Sequence, residues 1–421
     1  MDSGRAFLAA TALGAANTAN AYWPMRRGPA SVLSFVPGQF TSELPLHAIT
    51  WQAAAAAAFM RRGSLRTNTG RAGAVLAVAS WAGLLKLHQE ARRSRDVLEQ
   101  ALAEGLGAEY RKLMVESSAA REVQPTRRQV AFPARGPRRR YADTTDLAYS
   151  DYGRRNYLDI WRRPGLAANA KSPVLLQVHG GAWTIGSKRG QAYPLLTHMA
   201  ERGWVCVAIN YRLGPRCAWP DQIVDVLHAV GWVRDNIAAH GGDPGFIAIT
   251  GGSAGGHLCA LAALAAGDPD FQPDFEDVDT TVQAAVPFYG IYDFTDVGPP
   301  GWGEAEKFFG RVLFKTRLAD DRERWERASP VHRVRADAPP FFVVHGTNDS
   351  LAPIEQARRF VERLRTQSAN PVVFAELPRA QHAFDIYGSI RATHTVHAVE
   401  RFLDVIHRQR LPGRDQLMAV S

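Results

Sequence analysis

The sequence contains few cysteines and no long apolar run, and both shortages restrict what the protein can be. Three cysteines among 421 residues cannot form a disulfide framework, and neither C-x-x-C nor H-E-x-x-H occurs to suggest a zinc site. No glycine-rich stretch is followed by G-K-S or G-K-T, which argues against a phosphate-binding loop. No segment reaches the roughly 20 strongly apolar residues that a membrane-spanning helix needs. We therefore expect neither a metal ion nor a cofactor.

Apolar residues are abundant, and their arrangement predicts an α/β fold. They make up 46% of the chain, enough for one large domain and a smaller region. From about residue 145, short and nearly continuous apolar runs alternate with amphipathic segments, as in a mostly parallel sheet of about eight strands covered by helices on both faces. Strands are predicted at residues 158–161, 174–178, 205–209, 246–249, 284–289, 341–344 and 372–374, and covering helices at 221–239 and 355–364.

The pentapeptide Gly-Gly-Ser-Ala-Gly at 251–255 is the most informative motif. It follows a predicted strand and precedes a helical stretch, which is the context in which G-x-S-x-G forms a nucleophile elbow. Gly251 and Gly255 would let backbone approach backbone where a side chain would clash. Ser253 would then lie at the tip of the turn with its hydroxyl exposed.

A glycine-rich loop follows the strand at 174–178. It reads His-Gly-Gly-Ala-Trp at 179–183 and can aim backbone N–H groups at one point. Acyl-transfer enzymes need such donors for the oxyanion of the tetrahedral intermediate. We assign this oxyanion hole to Gly181 and Ala182, with Ala254 beside the nucleophile, and we assign Trp183 to substrate binding. The alternative interpretation is an ordinary turn after a strand.

A serine nucleophile needs a base and a carboxylate that orients the base. Asp349 follows the predicted strand at 341–344, and His382 follows the strand at 372–374. The resulting chain order is Ser253, Asp349 and His382, which is the order expected of an α/β-hydrolase.

Other titratable residues near these motifs are weaker candidates for catalysis. His345 and His179 are expected to brace loops, and His257 is expected to point away from the elbow. Asp385 is too close to His382 in sequence to reach it across a strand end. Asp243 is predicted to be a turn residue.

The motifs HGGAW, GGSAGG, HGTND and QHAF together resemble the esterase and lipase branch of the α/β-hydrolases, which includes the hormone-sensitive-lipase group. The sequence is most similar to mycobacterial Lip-type esterases with an N-terminal extension and to prenylcysteine methylesterase-like enzymes. The resemblance covers residues 141–410. It implies an α/β-hydrolase fold with Ser253 as nucleophile, His382 as base and Asp349 as the residue that orients it. Gly252 and Ala182 depart from the common pattern, in which Asp and a third glycine occur.

The expected activity is hydrolysis of short-to-medium acyl carboxylic esters through an acyl-enzyme, on a small-molecule or lipid ester. Two alternatives remain open. One is a peptidase or amidase that uses the same triad, and the other is a non-catalytic, hydrolase-like ligand-binding protein.

The segment at 291–335 is the least regular part of the predicted catalytic domain. Its aromatic residues predict a cap over the active site, and the alternative is a pair of surface helices with ordinary packing. The aromatic residues are Trp302, Phe308, Phe309, Phe314 and Trp325.

Residues 1–140 form a helical, alanine-rich region that precedes the catalytic domain at 141–410. Apolar, alanine-rich stretches at 6–22, 53–60 and 72–85 favour membrane-associated helices, and the alternatives are a soluble helical cap and a cleaved signal. Because every catalytic motif lies beyond residue 178, we expect the catalytic domain to function without this region.

The formal charge of +9 is concentrated in a basic linker before the catalytic domain. The linker lacks the aromatic residues and folded surface typical of nucleic-acid binding, so we expect no nucleic-acid partner. Attraction to anionic lipids is one interpretation, and a solvated connector is the other. We predict a membrane-associated protein, with a cytoplasmic or cell-envelope location as the alternative. The linker arginines are Arg121, Arg127, Arg128, Arg135, Arg138, Arg139 and Arg140.

Overall fold

The computed structural model describes residues 2–26, 28–114, 131, 138–296 and 303–410. Four long helices occupy the described residues between 2 and 114. Alanine, the strongest helix former, is frequent in all of them except the second, and the side chain of Thr67 caps the longest helix by accepting from the N–H of Gly70. The helices are α1 (Ser3–Tyr22), α2 (Gly28–Glu43), α3 (Pro45–Arg61) and α4 (Asn68–Leu106).

Within the described residues, eight strands form a single sheet in the order β1-β2-β4-β3-β5-β6-β7-β8. β2 pairs antiparallel with both β1 and β4, and the strands from β4 to β8 are parallel. The predicted, mostly parallel sheet of about eight strands is confirmed. The strands are β1 (Ala142–Ala148), β2 (Tyr157–Trp161), β3 (Ser172–Val178), β4 (Val205–Ile209), β5 (Gly242–Gly252), β6 (Ala284–Phe288), β7 (Phe341–Gly346) and β8 (Val372–Leu377).

Apolar side chains cover both faces of the sheet. On one face the core includes the inner sides of α7, α8 and α11, and on the other it includes α6, α12 and the C-terminal part of α4. Successive residues of β3, such as Leu175 and Leu176, pack into opposite layers of the core. These covering helices are α6 (Tyr193–Glu201), α7 (Asp221–Asn236), α8 (Ala254–Leu264), α11 (Ile354–Gln367) and α12 (Ile390–Gln409).

The predicted cap insertion contains two short helices, α9 (Gly303–Phe309) and α10 (Arg322–Arg327), with a π-helical turn at Gly310–Phe314 between them. Phe309, Phe314 and Trp325 are buried, while Phe308 is partly exposed. The predicted member Trp302 lies outside the described residues. The remaining short elements are the one-turn helix α5 (Arg138–Tyr141) and 3₁₀ turns at Ser64–Arg66, Tyr110–Leu113, Gly153–Asn156, Ile237–His240 and Pro330–Arg333.

The N-terminal helices pack directly on the sheet-containing part of the molecule. Gly105 of α4 lies against β8, where an added Cβ would be 2.9 Å from the carbonyl oxygen of Val372. Leu98 and Leu102 are buried in the same core layer as α12. Packing is therefore continuous across the predicted boundary near residue 140.

The predicted membrane-associated helices and the predicted basic linker of the N-terminal region have different outcomes. None of its described helices is long and apolar enough to cross a membrane. Four arginines of the basic linker, Arg121, Arg127, Arg128 and Arg135, lie outside the described residues.

A buried ion pair joins α2 to α12. The side chains of Glu43 and Arg391 are both 0% exposed and in contact, and Ser389 Oγ donates to Glu43 Oε2 at 2.8 Å. Removing one member of a buried pair leaves the other charge without a partner, which costs about 3–5 kcal/mol.

We predict that Glu43→Ala lowers the free energy of unfolding, measured with denaturant, by about 3–5 kcal/mol. Glu104→Ala is the control, because Glu104 is an exposed glutamate of α4, and its substitution should cost less than about 0.5 kcal/mol. A loss below about 1 kcal/mol in Glu43→Ala would show that this pair does not hold α2 in place.

Candidate active site

Ser253 lies at the tip of a sharp turn between β5 and α8. Its φ of 59° and ψ of −121° are unusual for a residue with a side chain, so the turn is strained. A Cβ at Gly251 would lie 2.4 Å from the carbonyl oxygen of Gly255, and a Cβ at Gly255 would lie 2.1 Å from that of Val178. Both positions therefore require glycine, because a side chain at either one would clash with neighbouring backbone around the turn that carries Ser253.

The loop after β3 packs against this turn. A Cβ at Gly180 would lie 2.5 Å from the carbonyl oxygen of Gly252 and 3.2 Å from Ser253 Cβ. Gly181 has a φ of 126°, and Ala182 has a φ of 50°. Within the described residues, no hydrogen bond occupies the N–H of Gly181 or Ala182. The loop thus brings two available donors beside Ser253.

Buried side chains hold this loop in shape. Gln191 Oε1 accepts from the N–H of Gly180 at 2.7 Å. His179 Nδ1 donates to the carbonyl oxygen of Gly180 at 2.7 Å, and its ring stacks on Tyr211 at 4.4 Å. Burial lowers the pKa of His179 to about 4, so the ring is neutral at pH 7. His179 braces the loop, as expected, and Gln191 is a supporting residue that sequence reasoning missed.

Trp183 is buried in an aromatic cluster at 2% exposure. Its Nε1–H donates to His257 Nδ1 at 3.1 Å, and His257 Nε2 donates to the carbonyl oxygen of Ala328 at 2.8 Å. Phe309 of the cap insertion lies 5.7 Å from the Trp183 ring. These contacts anchor the loop to α8 and to the cap insertion, and the assignment of Trp183 to substrate binding stays a prediction.

Asp349 and His382 meet at the carboxyl ends of β7 and β8. Asp349 Oδ2 accepts from His382 Nδ1 at 2.7 Å, while Oδ1 accepts from the N–H groups of Leu351 and Ala352, each at 2.8 Å. Burial opposes ionisation, but His382 and hydrogen bonds from His345 and His382 hold the pKa of Asp349 well below its usual value. Asp349 is therefore ionised at neutral pH, and the proton on His382 lies on Nδ1.

Two further residues position this pair. His345 Nε2 lies 3.3 Å from Asp349 Oδ2 and 3.1 Å from the carbonyl oxygen of Ala352. Gln381 Oε1 accepts from the N–H groups of Ser350 and His382, each at 2.8 Å. His345 was expected to brace a loop, but its contact with the carboxylate itself had no signal in the sequence.

Tyr289 links the serine turn to the histidine. A Cβ at Gly252 would lie 2.6 Å from Tyr289 Oη, and the Tyr289 ring lies 4.6 Å from the His382 ring. Tyr289 Oη also donates to Asp385, whose pKa is raised by burial. Asp385 thus contacts Tyr289, and Asp349 is the carboxylate that accepts from His382.

Among the described residues, no hydrogen bond joins Ser253 Oγ to His382, and such bonds often tighten only when substrate binds.

The N-terminal helices contact both loops that carry this pair. Asn348 Nδ2 donates to the carbonyl oxygens of Ala21 and Tyr22 at 2.8 and 3.1 Å. Gln39 Nε2 donates to the carbonyl oxygen of Ala383 at 2.6 Å. These contacts agree with the cap alternative for the N-terminal region, and they argue against a catalytic domain that functions without it.

Phe35 brings α2 to the histidine itself. Its ring meets the His382 ring edge-on, with the ring centres 5.9 Å apart. Asp243, by contrast, lies within β5, where its Oδ1 accepts from the N–H of Gly245 at 2.8 Å, so its prediction as a turn residue was wrong.

One group of side chains in the described part of the chain could hold a metal ion. His198, His397 and Glu400 have ligand atoms within 4.8 Å of one another, between α6 and α12. Arg202 Nε donates to Glu400 Oε1 at 2.8 Å, so the carboxylate already has a cationic partner. The group contributes nothing to the site around Ser253.

The order of the strands, and the loops that carry Ser253, Asp349 and His382, are those of an α/β-hydrolase. Residues 158–364 match the BD-FAE family model. The chain is similar to the "Probable carboxylic ester hydrolase LipM" of Mycobacterium tuberculosis, with 47% identity over 98% of this chain and 96% of that protein. The chain belongs to the Lip family of carboxylic ester hydrolases.

More distant proteins match a little over three fifths of the chain. The isoprenylcysteine α-carbonyl methylesterase ICME of Arabidopsis thaliana is 28% identical over 63% of this chain and 62% of that protein. The propionate-bound thermophilic esterase Est2 of Thermogutta terrifontis superposes with a TM-score of 0.52 and 27% identity, covering 62% of this chain and 93% of that chain. The predicted resemblance to Lip-type esterases is confirmed.

We predict that Asn348→Ala lowers kcat about tenfold or more, because a small displacement of the loop that carries Asp349 misaligns His382. KM should change less than about twofold, since substrate contacts are untouched. Steady-state kinetics on a p-nitrophenyl ester measure both constants. Asn236→Ala is the matched control, because Asn236 Nδ2 donates to the carbonyl oxygen of Trp232 in an exposed position remote from this loop. A variant with unchanged kcat would contradict the positioning role of Asn348.

We also predict an acid-dependent loss of stability that depends on His257. Burial lowers its pKa to about 4 in the folded protein, so the unfolded chain binds a proton below pH 6.5 that the folded chain excludes. Between pH 6.5 and 4, the free energy of unfolding should therefore fall more steeply in the wild type than in His257→Phe, by up to about 1.4 kcal/mol per pH unit. Denaturant titrations across this range measure both slopes, and equal slopes would contradict a neutral, buried His257.

Proposed function

We propose that this protein hydrolyses carboxylic esters with Ser253 as nucleophile, His382 as general base and Asp349 as the carboxylate that orients it. The observation that carries the proposal is the 2.7 Å contact of Asp349 Oδ2 with His382 Nδ1, beside a serine on a strained turn. Membership of a family of carboxylic ester hydrolases supports the same activity.

In the first half of the reaction, Ser253 Oγ attacks the ester carbonyl carbon while His382 Nε2 takes the hydroxyl proton. Because Asp349 accepts from Nδ1–H, Nε2 carries the lone pair that this step needs. Negative charge develops on the carbonyl oxygen, where the N–H groups of Gly181, Ala182 and Ala254 are the proposed donors. The alcohol leaves with the proton from His382 and an acyl-Ser253 remains.

In the second half, water replaces the alcohol. His382 takes a proton from water, the resulting nucleophile attacks the acyl carbon, and Ser253 leaves with the proton from His382. Ionised Asp349 stabilises the imidazolium in both halves, and its low pKa keeps this charge available in moderately acidic solution.

We propose short-to-medium acyl esters as the substrates. The aromatic side chains of the cap insertion, Phe309, Phe314 and Trp325, are buried in packing among themselves and around Trp183, which supports a compact site beneath a fixed wall. Est2 is described with bound propionate and with bound butyrate, and these short acids support the same preference for this chain.

We propose that residues 1–140 and the cap insertion near 291–335 enclose the active site together. The contacts of α2 and of the end of α1 with the loops around Asp349 and His382 support this role for the N-terminal region. We also propose that this region associates with a membrane, which its exposed apolar side chains support.

Ser253→Ala should reduce kcat by about 10⁴-fold or more, because the binding groups and oxyanion donors remain while the nucleophile is lost. Mass spectrometry after treatment with a fluorophosphonate should find the adduct on Ser253 alone. Asp349→Asn should be similarly severe, and Asp385→Asn should be mild and serves as its matched control. Labelling of another serine, or equal losses in the two aspartate variants, would refute the assignment.

The rates on p-nitrophenyl esters of graded length should peak at short or medium acyl chains, since the buried aromatic side chains of the cap insertion support a compact site. A matched panel of p-nitroanilides tests the amidase alternative. An optimum on long-chain triglyceride emulsions, or faster cleavage of amides than of esters, would overturn the proposed substrate class.

A further inference from the structure

Large apolar side chains are exposed mainly in the N-terminal helices. Of the sixteen large hydrophobic residues that are exposed among those described, thirteen lie within residues 13–85. The three in the rest of the described chain, Tyr152, Ile185 and Phe308, are scattered, as is normal for a soluble surface. The concentration in one region indicates a surface that another phase or molecule covers.

Part of this exposure forms one continuous feature. Leu33, Val36 and Phe40 follow one another at helical spacing along α2 and are 74%, 63% and 37% exposed. Phe40 also lines a groove of about 270 Å³ between α1 and α3, together with Leu13 and Trp51. We call these five residues the apolar surface.

The charged residues of the segment that carries the apolar surface are almost all positive. Residues 3–86 contain eight basic residues and a single acidic one, Glu43, which is buried against Arg391. Two copies of such a surface would repel each other, whereas an anionic bilayer would attract it. The basic residues are Arg5, Arg26, Arg27, Arg61, Arg62, Arg66, Arg71 and Lys86, and all except Arg27, which is outside the described residues, are exposed.

The exposed aromatic residues fit the same occupant. Trp51 is 72% exposed on the apolar surface, and Trp23, between α1 and α2, is 76% exposed. Tryptophan is enriched where protein meets the boundary between lipid headgroups and acyl chains. Because no described helix can cross a membrane, lipid contact here means docking on one leaflet.

We propose that the apolar surface docks the protein on anionic lipid bilayers and thereby presents the active site to esters that partition into them. The docking itself does not depend on the proposed function, whereas the presentation of the active site to esters rests on it. α2 carries three of the five residues of the apolar surface, while Phe35 and Gln39 of the same helix contact His382 and the neighbouring Ala383. One helix, about 10 Å wide, separates the docked lipid from the catalytic histidine.

The test is co-flotation of the full-length protein with vesicles. Binding is expected to equimolar phosphatidylcholine and phosphatidylglycerol, to be weaker to phosphatidylcholine alone, and to fall as salt is added. Arg61→Gln with Arg62→Gln should weaken binding to the anionic vesicles about fivefold for each arginine removed.

A triple variant tests the apolar surface itself. Leu33→Ser, Val36→Ser and Trp51→Ser together should weaken partitioning onto anionic vesicles by at least about tenfold. The matched control is Tyr152→Ser, which changes a side chain that is 56% exposed outside the N-terminal region and should leave vesicle binding unchanged. The turnover of a water-soluble p-nitrophenyl ester without vesicles should be the same in all three proteins.

The outcomes separate the docking proposal from the proposed activity. Equal vesicle binding by the triple variant and the Tyr152→Ser control, or no binding by the wild type, overturns the docking proposal. If the wild type binds no vesicles and sediments as a dimer while the triple variant sediments as a monomer, the docking proposal is wrong. The apolar surface then binds a second copy of this chain. Vesicle binding by a protein without esterase activity would sustain docking and refute the proposed function alone.

Discussion

The hydrogen bond between Asp349 Oδ2 and His382 Nδ1 is the contact on which the rest of the site depends. Each residue lies on a loop, and the neighbouring parallel strands β7 and β8 bring the two loops together at one edge of the sheet. The carboxylate is almost fully buried, so its charge needs partners, which it finds in His345, His382 and two backbone N–H groups. A histidine of fixed tautomer is the result, and Ser253 can use such a base.

The N-terminal helices complete this arrangement from outside the sheet. Asn348 and Ala383 are neighbours of Asp349 and His382, and each is hydrogen-bonded to a helix residue more than 300 positions earlier in the chain. The same helices expose most of the large apolar side chains found at the surface. The proposed positioning of the acid–base pair and the proposed contact with lipid therefore both involve α2.

The sheet and the motif loops could be predicted because their signals are local. Apolar runs mark the buried strands β3 to β8, and the glycine at 251 is imposed by a backbone contact only four residues along the chain. β1 was not predicted, because its sequence Ala-Asp-Thr-Thr-Asp-Leu-Ala is that of a polar, largely exposed edge strand. The contacts of Phe35 and Gln39 with the catalytic loops had no local signal, since only the folded chain brings those residues together.

The most direct test of this account is a crystal structure of the protein after reaction with a phosphonate ester inhibitor. We expect phosphorus bonded to Ser253 Oγ, and a phosphonyl oxygen about 2.7–3.1 Å from the N–H groups of Gly181, Ala182 and Ala254. His382 Nε2 should lie within hydrogen-bonding distance of the adduct, with Nδ1 still on Asp349 and Phe35 still against the imidazole. An adduct on another residue, or a phosphonyl oxygen that faces away from these N–H groups, would contradict the account.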